Sequence, residues 1–376
     1  MSTRASDRQA SRGTSARAAC GGGGRSAAPW IAGVLDTPRG PVPRVRTRLG
    51  ARDRLGAAAA RWAIGRMRYR VPAGLYAVGA PGSGAPVLVS ANYKMSFDHL
   101  RRALEGRDAW ILVLDTRGIN VWCAAGKGTF GTDELVSRVG RSGLAAIVAH
   151  RLLVVPQLGA PGLSAHLVLR RCGFRVLFGP VRARDLPAYL DAGMRATEAM
   201  RRVRFGLADR IALIPVEIAT GARPFLAGAA ALMLLAGFGR GGYSLARVVD
   251  TGLPAAGLFL GVFLASAILG PMLLPWLPGR AFSLKGAALG LLLLPPLAAA
   301  AATRAPLLEP RLQAAAWALL VPAIASFTVM NFTGATTYTS LSGVLSEMRI
   351  AVPAQAAAAL IGLVLWMAGL FAAAGG

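Results

Sequence analysis

The residue types able to do chemistry converge on one stretch, Gly118–Leu135, which reads GINVWCAAGKGTFGTDEL. Cys123 stands between Trp122 and Ala124, and glycines follow at Gly126, Gly128 and Gly131. A cysteine acts as nucleophile or soft metal ligand through its thiolate. The same residues are also compatible with a buried, inert cysteine in a glycine-rich turn. Gly126-Lys127-Gly128-Thr129 suggests a phosphate loop, but the G-x-x-x-x-G-K-[ST] spacing is absent, so no nucleotide site is read here. The other candidates are weaker. His99, His150 and His166 are not at metal-ligand spacing and read as surface or capping residues. Cys172 falls on an apolar helix face, and no Ser-His-Asp or paired-carboxylate pattern is evident. Three cysteines (Cys20, Cys123, Cys172) make neither a disulfide framework nor an iron–sulfur cluster, which takes about four thiolates.

The elements that must position Cys123 can be read on either side of it. Short apolar strands at Val87–Ser90, Trp110–Leu114, Leu152–Val155 and Arg175–Phe178 alternate with helical patterns at Phe97–Glu105, Thr132–Val139, Leu163–Arg171 and Leu186–Met194. Such alternation predicts parallel βαβ units. In these sheets ligands lie beyond the carboxyl ends of the strands. The loops there are Ala91–Ser96, Thr116–Gly131, Pro156–Gly162 and Gly179–Arg184, and most are rich in Gly, Pro or Asn, as close approach of backbone to a ligand requires.

Composition divides the chain. Net charge is +25, yet 54% of residues are hydrophobic. Residues 1–223 hold 35 Lys+Arg against 14 Asp+Glu, and residues 224–376 hold 7 against 3. That asymmetry points to a membrane or a nucleic acid. Long apolar runs choose the membrane. Leu253–Leu277, Leu312–Phe332 and Val352–Ala374 each reach the roughly 20 residues a span needs. Gly286–Ala302, with Pro295 and Pro296, and Pro224–Phe238 are shorter. Fifteen arginines precede Val71 in an Ala-, Gly-, Ser- and Pro-rich stretch with little apolar periodicity, which is expected to be a disordered extension over residues 1–70. No secretory signal is visible, so the soluble part is expected in the cytoplasm, with the C-terminus outside after five spans. Thr333–Arg349 is then a polar loop facing the soluble domain.

Asn120–Lys127 meets in full the pattern N-[VI]-W-C-A-[AG]-[AG]-K, and with it the chain resembles the mercury-methylation corrinoid proteins, the HgcA family. That family is related to the large subunit of the corrinoid iron–sulfur protein of acetyl-CoA synthesis. Further blocks agree in order: SANYKMSFDHLR at Ser90–Arg101, PQLGAPGLSAH at Pro156–His166, FGPVRARDLPAYL at Phe178–Leu190 and NFTGATTYTSLSGVLSEM at Asn331–Met348. The resemblance covers about residues 70–376.

The resemblance implies a Rossmann/flavodoxin-like α/β corrinoid-binding domain over residues 71–210 and an all-α transmembrane domain of about five helices over residues 211–376. It implies a cap helix under a cobalamin-type corrinoid, with Cys123 as the lower axial ligand of cobalt. Ala124, Ala125 and Gly126 would let that helix lie flat on the macrocycle, Trp122 would pack at its edge, and Lys127 would reach a carboxamide or phosphate. Asn120, Val121, Gly128, Thr129, Asn92, Gly159, Ala160, Gly179 and Pro180 complete the implied cofactor set. A strongly donating thiolate favours release of methyl as a carbanion, which Hg(II) accepts. The four-cysteine cluster motif and the barrel domain of the iron–sulfur relative are missing. Electrons are therefore expected from a ferredoxin-like partner with two [4Fe–4S] clusters, and the methyl group from a methylated folate or its methyltransferase. Two other readings stay open: a corrinoid methyl carrier of one-carbon metabolism without mercury activity, and a membrane transporter with a ligand-binding domain.

Overall fold

The computed structural model describes residues 28–302, 310–332 and 341–372. Seven strands form one sheet: β1 (Ile31–Thr37), β2 (Gly40–Val45), β3 (Gly74–Val78), β4 (Val87–Ala91), β5 (Ala109–Leu114), β6 (Leu152–Val155) and β7 (Arg175–Phe178), in the order β1-β2-β3-β5-β4-β6-β7. β5, β4, β6 and β7 run parallel. Every residue of β4 and β5 is buried, as expected for strands covered on both faces. The four strands named from their apolar runs are present, so the α/β reading holds. The sheet as a whole is mixed, however: β1 pairs antiparallel with β2, and β3 antiparallel with β5.

Helices cover both faces. On one side α4 (Thr132–Ser142) and α5 (Ala165–Cys172) press Leu135, Val139 and Val168 onto Leu112, Val89 and Val155. On the other, α2 (Lys94–Ala103) and α6 (Leu186–Asp191) bring Phe97, Leu100, Leu186 and Tyr189 onto Leu88, Ile111 and Val113. The chain moves from β4 to β5 in one direction and from β6 to β7 in the other. The gap between β4 and β6 is therefore the switch point of the sheet, where open α/β sheets take ligands.

Residues 28–70, read as part of a coreless extension, hold two strands and a helix, α1 (Ala51–Arg61). Burial alternates along β1, and in β2 Val42 and Val45 are buried. Arg, Gly and Pro at intervening positions make both segments look like loop in the sequence. Trp30 stacks edge-on against Tyr76 and Phe97 at 5.6 and 5.3 Å. A buried ion cluster fastens α1 to α2: Lys94 Nζ lies 2.7 Å from Asp53 and 2.6 Å from Asp98, and the fully buried Arg101 reaches Asp53 at 2.8 Å and Asp98 at 2.7 Å. Burial opposes ionisation of Asp53, but its bonds to Lys94 and Arg101 outweigh this and hold the carboxyl below its ordinary value. Residues 1–27, with Cys20, lie outside the described residues.

Beyond the short helices α7 (Glu198–Arg201) and α8 (Leu207–Ile211) stands an all-helical unit: α9 (Ile214–Ala236), α10 (Leu245–Arg247), α11 (Leu253–Leu273), α12 (Phe282–Ala302), α13 (Pro310–Asn331) and α14 (Leu341–Ala372). Five helical segments, Leu207–Ala236, Leu245–Leu273, Phe282–Ala299, Arg311–Asn331 and Gly343–Ala372, are long and apolar enough to cross a membrane. α9 reaches well before the apolar run seen at Pro224, because Ile214, Val216 and Ile218 extend its apolar character. In α12 a Cβ at Gly286 would lie 2.5 Å from the Ala325 carbonyl, so glycine lets α12 and α13 touch backbone to backbone. Arg210 donates to the carbonyls of Pro271 and Met272 at 2.9 and 2.7 Å. Ser283 N–H donates to Glu347 at 2.5 Å, and the rings of Phe205 and Phe332 lie 6.2 Å apart. These contacts put the end of α11, the start of α12, the end of α13 and the start of α14 on the side of the sheet domain. Of the expected polar loop at residues 333–349, residues 341–349 are instead the first turns of α14, and residues 333–340 lie outside the described residues.

Candidate functional site

α3 (Val121–Gly126) is the short helix that follows β5 at the carboxyl edge of the sheet. Its start is fixed twice. Asn120 caps it by accepting the Cys123 amide at 2.9 Å. Asn92, buried at the end of β4, shapes the loop before it. Its Oδ1 accepts from the Thr116 and Gly118 amides at 3.1 and 2.9 Å, and its Nδ2 donates to Asp115 at 2.9 Å. With those bonds made, Asn92 positions the loop rather than presenting its amide outward.

The two faces of α3 differ. Val121, Ala124 and Ala125 turn inward and are buried. The turn Gln157–Gly162 lies flat on them: a Cβ at Gly162 would come within 3.0 Å of Ala125 Cα and 2.2 Å of the Phe130 carbonyl. A Cβ at Gly159 would strike the Phe130 ring at 2.5 Å. Ala125 thus meets the backbone of that turn, Gly159 meets the Phe130 ring, and Ala124 is buried in the core. Trp122 and Cys123 are half-buried and Gly126 is exposed, and these three share the outward face. At Gly126 an added Cβ would meet no atom within 4 Å. Lys127 and Gly128 are exposed, with Gly128 in the left-handed region, while the half-buried Thr129 hydroxyl donates to the Ala124 carbonyl at 3.4 Å. Cys123 is a free thiol.

Beside this face, at the β4/β6 switch point, opens a cavity of about 920 Å³. Asn120, Val121 and Trp122 form one rim, and Val89, Val155 and Leu158 give apolar wall. Gly179 and Pro180, singled out from sequence, line it as well. Ala160 is half-buried in the turn against α3 and is not part of the lining. Sequence reasoning missed Arg102, Arg182, Arg184 and Asp209 and read His99 as a surface or capping residue; with Ser90, Ser96 and Glu105 they supply polar lining. Arg182 pairs with Asp209 at 2.9 Å, tying the cavity wall to α8. Burial, then the nearby Arg61 cation, pushes the His99 imidazole below its ordinary pKa, favouring the neutral form at pH 7. Their signal was faint in sequence: a charged residue on a helix or loop looks the same whether it faces water or a cavity.

Residues 65–184 match the family model described as the CO dehydrogenase/acetyl-CoA synthase delta subunit. The chain is 30% identical over 123 residues to the acetyl-CoA decarbonylase/synthase complex subunit gamma of Methanopyrus kandleri, covering 32% of this chain and 26% of that subunit. The gamma 2 subunit of Methanosarcina thermophila is 32% identical over 124 residues, covering 31% and 25%. The gamma subunit of Archaeoglobus fulgidus is 28% identical over 128 residues, covering 34% and 27%. The chain thus spans about a quarter of the length of the curated relatives it matches, and the family match covers the strands, loops and helix that carry Cys123.

Proposed function

We propose that this chain is a corrinoid-dependent methyltransferase that delivers a methyl group to inorganic Hg(II), giving methylmercury, with Cys123 as the lower ligand of cobalt. The observation that carries the reading is the free Cys123 thiol on a clear helix face, next to a large cavity at the switch point of the sheet. Two features suit a corrinoid. The open space over Gly126 leaves room for a flat macrocycle against Cys123. The cavity joins apolar walls to Arg102 and Arg184, which suits the aromatic base and phosphate of a nucleotide tail. When bound, the corrinoid supplies a cobalt centre that carries a methyl group.

The chain's own residues set the direction of the chemistry. Cys123 would hold cobalt as a soft, strongly donating thiolate, a ligand that would favour delivery of the methyl group to an electrophile such as Hg(II). Asn120 and Asn92 hold the thiol in place, Trp122 borders both face and cavity, and Lys127 is free to meet an acidic group of the cofactor. The chain is proposed to sit in the cytoplasmic membrane with the sheet domain inside and α14 ending outside. A methylated folate or its methyltransferase supplies the methyl group, and a ferredoxin-like protein with two [4Fe–4S] clusters supplies electrons.

The kinship to acetyl-CoA decarbonylase/synthase gamma subunits favours a second reading, a methyl carrier of one-carbon metabolism without mercury activity. The full-length protein, loaded with cobalamin and given a methyl donor and Hg(II), separates the two. The first reading expects methylmercury, about one turnover without a low-potential reductant and sustained turnover with one. Methyl transfer to a thiol or corrinoid acceptor with no methylmercury formed would favour the carrier.

A further inference from the structure

We propose that the outward stripe of α1 and the turns after it dock on the anionic lipid surface of the membrane that the helical unit spans. This rests on the spanning reading given above. The residues of Ala51–Met67 that face away from the sheet domain form a helical stripe, Arg54, Leu55, Ala58, Arg61 and Trp62, continued by Ile64 and Met67. Its large apolar members are open: Leu55 70%, Trp62 50%, Ile64 69% and Met67 61% exposed. No acidic residue accompanies them, since Asp53, the one acid of α1, points inward to Lys94 and Arg101. Arg52, Arg54, Arg61 and Arg68 are exposed around the apolar side chains. An amphipathic segment of Arg and Trp with no acid is the composition that settles at an anionic headgroup layer.

Position supports the same partner. Arg66, in the 3₁₀ turn at the end of the stripe, lies within electrostatic reach of Glu217 in the first turn of α9. At the same end of the helical unit Trp276 is 71% exposed, 6.0 Å from the Arg210 guanidinium, as in an interfacial aromatic belt. The stripe therefore stands level with the headgroups. There, insertion of Leu55, Trp62, Ile64 and Met67 would hold the sheet domain against the bilayer beside the first span.

The test uses the full-length protein in lipid nanodiscs with brominated acyl chains, reading Trp62 emission as the difference between wild type and Trp62→Phe. In discs containing phosphatidylglycerol, bromine should quench that emission roughly twofold or more. Quenching should weaken in phosphatidylcholine discs, at high salt, and in the Arg52→Gln/Arg54→Gln/Arg61→Gln/Arg68→Gln variant. The tryptophans left in Trp62→Phe, including Trp317 of α13 and Trp366 of α14, report whether the helical unit is in the bilayer. If they are quenched and Trp62 is not, in either lipid, the stripe faces water or a soluble protein and the inference is overturned. Equal quenching in both lipids would overturn its anionic character. Unquenched Trp317 and Trp366 would instead overturn the spanning reading.

Discussion

The two described cysteines stand on the same sheet domain and teach opposite lessons. Cys172 ends α5, an amphipathic helix of eight residues. Its thiol donates back to the Val168 carbonyl at 3.2 Å, and Gly173 in the left-handed region closes the helix behind it. Its surroundings are those of a packing residue: it touches the apolar layer under α4 and α5. Cys123 sits on the outward side of a six-residue helix whose other side, Val121, Ala124 and Ala125, joins the core, and its start is held by the Asn120 cap and by Asn92 just after β4. The two thiols are both half-buried, yet they are held in different ways. One sulfur satisfies its own helix, while the other is displayed by structure brought in from β4, β5 and the Gln157–Gly162 turn.

The strongest way to break this contrast is to remove each sulfur in turn. Cys123→Ala should fold and insert normally and lose methylmercury formation by roughly a hundredfold or more, because the thiolate donor is gone. Cys172→Ala should stay near wild type. Equal loss in both, or in neither, measured as initial rates with excess reductant, would erase the distinction.

A second pair sharpens it within α3. Leucine at Ala125 would be forced into the Gln157–Gly162 turn, and overpacking of this kind costs about 1–3 kcal/mol, visible in denaturant or thermal unfolding. Leucine at Gly126 enters open space, so stability should hardly change while corrinoid affinity falls. Titration of the apo protein with cobalamin reads the second effect. If the two variants behave alike, the inward and outward faces have been wrongly assigned. The smallest effect belongs to Asn120→Ala, which removes the cap at a cost of about 1 kcal/mol and should loosen cofactor binding without abolishing it.

What was legible in the sequence follows from how strongly each signal is written. The long apolar helices declared themselves because runs of about 20 apolar residues have few other uses. Four parallel strands showed because strands buried on both faces read as continuous apolar runs, as AWILVL does. β1 and β2 did not, since IAGVLDT and GPVPRV carry the Gly, Pro and Arg of a loop, although they pair with each other as a local hairpin before β2 joins the distant β3. The motif drew attention to Cys123, but the inward packing of Ala125 was not written in it. Smallness says that something approaches closely, and here what approaches Ala125 is backbone. That Asn92 bonds the loop before α3 was not legible either, because a hydrogen-bonding side chain does not announce its partner.

The central claim, a thiolate from this chain on cobalt, is tested most directly by the absorbance spectrum of the purified, corrinoid-loaded protein beside that of Cys123→Ala and Cys123→Thr. The account predicts a thiolate-ligated cobalt spectrum in wild type that is lost in both variants, with cofactor still bound in Cys123→Thr, because the cavity keeps its grip while a hydroxyl is a hard, weak donor. Superimposable spectra for wild type and Cys123→Ala at equal cofactor loading would contradict it.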